Sequence, residues 1–263
     1  MLPLANSELP RALGDTWDEH LWRGGYPALH ASEAAPGPPD WFTGYVATYL
    51  ERDVRQLLNV ANLLTFQRFV MMCAARSGQL LNLNSLGNEC GISQPTARQW
   101  LTVLQASHLV TLLPPYPRNF GKRLIKTPKL YFIDSGLLCH LLQIRSPDEL
   151  ALHPMRGAVF ESWIVAETLK HRFNQALPAE LCFWRDNHGL EVDLVFEQGA
   201  RLPAVEVKSG ATFMPESLDA ARRWQALAGA EAAPPVLVYG GAESFECQGL
   251  PVVSWLDVGR SNG

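Results

Sequence analysis

The sequence predicts an α/β (α+β) protein, in which a helical connector and a winged helix-turn-helix precede a mixed-sheet domain. Three observations predict this. Apolar residues recur at helical spacing through Trp41 to Val60 and again from Ala97 to Leu104. Two short helical stretches flank Gly91-Ile92-Ser93 and are followed by two strand-like runs. In the last third, half-buried strands with acids on one face lie between two helices. The 263 residues suit one large or two small domains, and a hydrophobic content of 47% is enough for proper cores. The expected boundaries are 1–60 for the connector, 61–145 for the winged helix-turn-helix and 155–258 for the mixed-sheet domain.

In chain order, Ala31 to Pro39 holds three prolines and a glycine and reads as an exposed loop. Trp41 to Val60 follows as a helix, with Val46, Tyr49, Leu50, Val54, Leu57 and Leu58 as its apolar stripe and Glu51, Arg52, Asp53 and Arg55 as a solvated face. Asn82 to Cys90 is a short helix, Gly91 to Ser93 a turn, and Gln94 opens a second helix. Ser93 is the natural N-cap there, and Pro95 fits only a first turn. Ala97, Trp100, Leu101 and Leu104 face the core, which leaves Gln94, Thr96, Arg98 and Gln99 facing outward.

Leu109 to Pro115 and Lys129 to Asp134 are strand-like and flank a loop carrying Arg118, Lys122, Arg123 and Lys126. From Arg118 through Lys129 there are five cations and no acid, as in a wing lying near phosphate. The outward face of the second helix and this loop are therefore the candidate DNA-binding residues; the same module can instead dock on protein. Asp134-Ser135-Gly136 caps a short helix through Leu142, and Arg145 to Pro154 is a break.

Gly157 to Phe173 is a helix with Phe160, Trp163, Ile164 and Leu169 as core stripe and Glu161 at its edge. Residues 181 to 197 form a hairpin around Asn187-His188-Gly189. In its second strand Leu190, Val192, Leu194 and Phe196 take the core face, leaving Glu191 and Asp193 on the other. Glu206-Val207-Lys208 lies in the next strand, and a helix near 215 to 229 closes the pattern. Residues two apart on a strand share a face, so Glu206 and Lys208 project together and a paired strand brings Asp193 beside them. Carboxylates held roughly 4 Å apart repel by about 4 kcal/mol at the dielectric of a partly buried site unless a cation intervenes. Hard oxygen ligands of this kind suit Mg2+ or Mn2+. Read blandly, a Glu-x-Lys strand is a solvated face with an ordinary ion pair.

The succession of helix, Asp-bearing strand, Glu-x-Lys strand and helix resembles the restriction-endonuclease-like fold, the PD-(D/E)XK superfamily. The resemblance implies Glu161, Asp193 and Glu206 as metal ligands, the Val207 carbonyl as a further ligand, and Lys208 as the catalytic group that orients water. Val192-Asp193 stands where the superfamily has Pro-Asp, which lowers the specificity of the motif.

Over nearly the whole chain the sequence resembles the prokaryotic AAA+-superfamily ATPases that carry the C-terminal domain of unknown function 4143. The matching words are Gly24-Gly25-Tyr26-Pro27, Tyr49 to Val54, Leu113-Pro114-Pro115-Tyr116, Pro128 to Leu137, Phe183-Trp184-Arg185-Asp186 and the Glu206 to Gly210 segment. That likeness implies a P-loop ATPase module joined to a winged helix and a nuclease-like tail. No Gly-x-x-x-x-Gly-Lys-[Ser/Thr] occurs here, so no ATP site and no ATP hydrolysis are expected of this chain. The sequence is expected to start just after such a module, as a truncation, a shifted start or a fragment.

No apolar run reaches membrane-spanning length, and the N-terminus lacks signal-peptide character. The five scattered cysteines read as reduced thiols of a cytoplasmic protein, and the seven histidines show no metal-ligand spacing. A net charge of −4 requires any nucleic-acid contact to be local. The expected partners are DNA and a P-loop ATPase module or a second copy, with no membrane. Three functions follow: a DNA-associated region of such an ATPase with an inert acidic cluster, a divalent-metal nuclease, or a winged-helix protein-interaction module.

Overall fold

The architecture is that of a computed structural model, which describes residues 2–9, 16–32, 35–48, 63–118 and 125–259. The chain divides into two compact units, the first built from Met1–Leu4, Glu8–Leu112 and Leu130–Trp163, the second from Ala5–Ser7, Leu113–Lys129 and Ile164–Gly263. Both follow from the α/β pattern, with a helical region ahead of a six-stranded mixed sheet.

The first unit is helical because its apolar residues recur at helical spacing. Helix Leu63–Ala74 buries Phe66, Phe69, Val70 and Cys73, and the rings of Phe66 and Phe69 meet Trp100 edge-on at 5.2 and 5.4 Å. Trp100 belongs to helix Gln94–Ala106, which buries Ala97, Trp100, Leu101 and Leu104, the stripe read from the sequence. Ser93 caps that helix by accepting from the Thr96 N–H, and Pro95 sits in its first turn, where no N–H is required. The preceding helix, Leu83–Cys90, is capped by Asn82 and stops at Gly91, whose φ of 71° is the left-handed conformation that glycine adopts at least cost. Strands β1 (Val110–Leu113) and β2 (Lys129–Phe132) then form a two-stranded sheet.

Two of the family-like words meet in this unit. The Asp134 carboxylate accepts from Leu137 N–H at 2.7 Å, capping helix Ser135–Leu141, and its other oxygen accepts from Gly25 N–H at 2.8 Å. Capping and tertiary docking thus share one buried side chain, as the capping reading of Asp134 anticipated.

Several expected boundaries shift. Ala31 to Pro39 is not loop throughout: Pro38 and Pro39 open helix Pro38–Tyr45, because the first turn of a helix tolerates the missing N–H. Most of the helix expected through Val60 falls on residues 49–62, outside the described residues. The break at Arg145 to Pro154 holds a short helix, Pro147–Leu152, with Ser146 as its N-cap and Pro147 in its first turn. The division into compact units falls at 163/164, inside helix Arg156–Asn174. Segment Ala5–Ser7 counts with the second unit, where Asn6 is buried. Its N–H donates to Glu167 Oε2 at 2.8 Å and its Nδ2 to the Val258 carbonyl at 3.0 Å.

The second unit is a six-stranded sheet in the order β3-β4-β5-β6-β8-β7. β3 (Leu181–Arg185), β4 (Glu191–Phe196) and β5 (Ala204–Lys208) are successive antiparallel neighbours. Beyond them, β6 (Val236–Tyr239) and β8 (Leu250–Ser254) continue in parallel, and β7 (Phe245–Cys247) closes the edge antiparallel to β8. A parallel neighbour requires a crossover connection, and helix Asp219–Ala228 lies in the one between β5 and β6. Trp224 of that helix packs on Trp184 of β3 with ring centroids 5.4 Å apart, and both side chains are fully buried. Val195 is buried as well, in a core cluster with Trp184, Val192 and Trp224.

Candidate functional site

The β4–β5 ladder pairs Leu194 with Val205 and Val195 with Ala204. Carrying that register one residue further sets Asp193 opposite Glu206, at the separation where facing side chains interact. The Asp193 carboxylate accepts the Val207 N–H at 2.9 Å, so a side chain continues the ladder where the strands cease to pair. Glu206 is 5% exposed, and its Oε1 accepts from Lys208 Nζ at 2.6 Å while the lysine stays half in solvent. The spacing of two along β5 therefore does bring Glu206 and Lys208 together, and the neighbouring strand adds Asp193. Val207 itself is paired with Val238 in the β5–β6 ladder.

Glu206 lines a cleft of about 820 Å³ together with Asp186, His188, Glu191, Asp219 and Arg223. The carboxylates in it are already engaged. Asp186 is buried and accepts from His188 N–H at 2.8 Å and Leu190 N–H at 3.0 Å, holding the β3–β4 turn. Glu191 joins Lys129 through one oxygen and Arg185 at 3.0 Å through the other. Asp219 stands 3.8 Å from Arg222. Of these groups Glu191 was within reach of the sequence, since it shares a strand face with Asp193; Asp219 and Arg223 show only the ordinary i, i+4 spacing of a helix.

The resemblance implies a hard divalent ion at these carboxylates. Mg2+ requires near-ideal octahedral oxygen ligation, often from one or two carboxylates plus water or phosphate. Here Glu206 takes the Lys208 ammonium through Oε1 and Asp193 takes the Val207 N–H through Oδ2, so each of these bonds occupies one of the two carboxylate oxygens. Glu161 falls in the first unit, where the Tyr131 hydroxyl donates to it at 2.5 Å. Among the described residues, no group of three or more His, Cys, Asp or Glu side chains is placed to hold a metal ion.

The candidate DNA contacts separate just as sharply. Gln94, Arg98 and Gln99 are exposed on the helix after the turn, and Thr96 is half-buried with its hydroxyl 2.8 Å from that of Ser93. Arg98 is the one charged residue of that helix. Arg118 belongs to the second unit and pairs with Glu231, with Nη2 to Oε1 at 2.8 Å. That guanidinium holds the Glu231 carboxyl below its usual range. Lys126 is exposed, whereas Lys129, the last of the five cations, is buried against Glu191. Lys122 and Arg123 lie outside the described residues. The acid-free run in the sequence thus acquires acids from distant segments in the fold.

All five cysteines are unpaired thiols. Burial pushes Cys182 up to about 11 and raises Cys73 and Cys139 further, so these three are thiols at neutral pH. No described helix is long and apolar enough to cross a membrane.

Comparison with known proteins places two family matches end to end. Residues 14–148 match the domain of unknown function DUF8612, and residues 156–257 match the domain of unknown function DUF4143. Two relatives, the uncharacterized proteins Mb2031c of Mycobacterium bovis and Rv2008c of Mycobacterium tuberculosis, are each 32% identical over 236 residues. The match covers 89% of this chain and 52% of theirs, so the chain spans about half the length of these relatives. No solved structure matches it.

Proposed function

The chain belongs to the DUF8612 family, and on that premise we propose that it is the DNA-associated region of an AAA+-type ATPase. In this reading the segment 61–145 works as a winged helix-turn-helix, and a PD-(D/E)XK-like sheet domain serves as a scaffold that does not cleave. The observation that carries the reading is the exposed polar face of helix Gln94–Ala106 near its N-terminus, opposite the buried Ala97 and Trp100. The N-terminal residues of the second helix of a helix-turn-helix are those that reach base edges in the major groove. Gln94 and Gln99 suit adenine, and Arg98 suits guanine. The inert scaffold is supported by the engaged state of Glu206, Asp193 and Glu161. An ATPase module would occupy part of the length by which the relatives exceed this chain, and ATP would be bound there.

Fluorescence anisotropy with a labelled duplex tests the proposal. Binding should weaken with salt, fall about tenfold in Arg98→Glu, which is roughly 1.4 kcal/mol, and be indifferent to chelator. Binding that Arg98→Glu leaves intact would remove the helix from the interface. Mg2+- or Mn2+-dependent cleavage that disappears in folded Asp193→Ala and Lys208→Ala would replace the scaffold with a nuclease.

A further inference from the structure

The first unit holds a second cavity, of about 240 Å³, lined by Trp22, Phe42, His140, Gln143 and Arg145 among others. Its walls are fixed before anything enters. The Trp22 indole N–H donates to the Ile144 carbonyl at 3.2 Å. Phe42 is 1% exposed, and a Cβ on Gly136 would lie 2.8 Å from its Cζ, so the ring rests on bare backbone. The His140 ring lies 5.8 Å from that of Phe42. Gln143, at φ 63°, donates its N–H to the His140 carbonyl and turns the chain back after helix Ser135–Leu141. The Arg145 backbone is held in turn by Glu149, whose carboxylate accepts its N–H at 2.7 Å.

The charge of the lining is one-sided. Among the described residues of the lining there is no acid, and burial lowers the His140 pKa, which keeps that imidazole neutral at neutral pH. Arg145 is exposed, and among the described residues no carboxylate pairs with its guanidinium. One cation at the mouth of an aromatic-walled cavity calls for an anion with an apolar body. The size sets an upper bound: the volume equals that of roughly eight liquid waters at about 30 Å³ each. A single-ring acid fits within it, and a nucleotide does not.

We propose that this cavity binds a small planar carboxylate, its ring against the Trp22 and Phe42 walls and its carboxylate on the Arg145 guanidinium. The site is independent of DNA association and of the sheet-domain cleft. Two-dimensional amide NMR of the full chain, titrated with benzoate and with its neutral isostere benzamide, tests it. Benzoate should shift the Trp22 indole and the amides of residues 140 to 145 and bind about tenfold more tightly than benzamide, the scale of one charge-assisted contact. Arg145→Gln should abolish that preference, and Arg223→Gln, in the other unit, should preserve it. Equal binding of the two probes, shifts located elsewhere, or a preference that survives Arg145→Gln would overturn the proposal.

Discussion

The exposed face of helix Gln94–Ala106 and the acid-lined cleft of the six-stranded sheet both gather polar side chains at regular spacing, and they differ in what those side chains already hold. On the helix, Gln94, Arg98 and Gln99 point to solvent while the opposite face is buried. In the cleft, Glu206 holds Lys208, Glu191 holds Lys129 and Arg185, and Asp186 holds two backbone N–H groups. A binding surface must offer hydrogen-bonding capacity to a partner at little cost. A charge already desolvated and paired offers little, because recruiting it means breaking its pair first. Polar side chains are therefore exposed to solvent in one region and committed to the fold in the other.

The strongest way to break this comparison is to remove a cation from each side of it. Lys129 is 4% exposed and paired with Glu191, so Lys129→Ala should destabilise the second unit by about 3 kcal/mol, the cost of stripping one partner from a buried pair. Lys126→Ala, three residues away and exposed, should change stability by less than about 0.5 kcal/mol. Urea unfolding followed through the buried Trp184 and Trp224 measures both. Equal midpoints for the two variants would erase the distinction between engaged and available cations. Next in size, Glu206→Gln should cost roughly 1–2 kcal/mol. The buried carboxylate is lost there, while Lys208 is exposed enough for water to replace its partner. A stabilised Glu206→Gln would instead mark Glu206 as a strained functional acid.

The parts of this contrast that a sequence can carry are the local ones. Ser93, Pro95 and the Ala97, Trp100, Leu101, Leu104 stripe define their helix because capping and helical period are decided within a few residues. Glu206 and Lys208 meet because a strand repeats every two residues. The partner of Arg118 lies 113 residues away at Glu231, and no spacing rule reaches that far. Glu161 sits at the edge of its helix as its periodicity implies, yet its partner, the Tyr131 hydroxyl, is supplied by tertiary packing. Pro38 and Pro39 read as loop because proline breaks helix interiors, and the same residues serve at a helix start. β6 and β8 are short strands; β6 joins β5 through a connection that holds helix Asp219–Ala228 and β8 joins β6 through one that holds β7, so their place emerges only once the sheet is assembled.

The smallest effect concerns the Arg118–Glu231 ion pair, whose two side chains are both exposed. Arg118 lowers the pKa of Glu231, chiefly through its hydrogen bond. A carboxyl whose folded pKa is depressed contributes stability above its ordinary value, about 4.3 for glutamate, and that contribution is lost as pH falls through the folded value. Arg118→Ala should therefore move the Glu231 titration upward toward the ordinary value, read from carboxyl carbon shifts by NMR. It should leave the unfolding midpoint at neutral pH nearly unchanged, because both side chains are about half exposed and surface pairs of this kind contribute little. An unmoved Glu231 would show that the pair does not persist in solution. Arg118 would then join Arg98 and Lys126 among the cations available to a phosphate backbone, and the line between the two regions would have to be redrawn to place part of the loop on the recognition side.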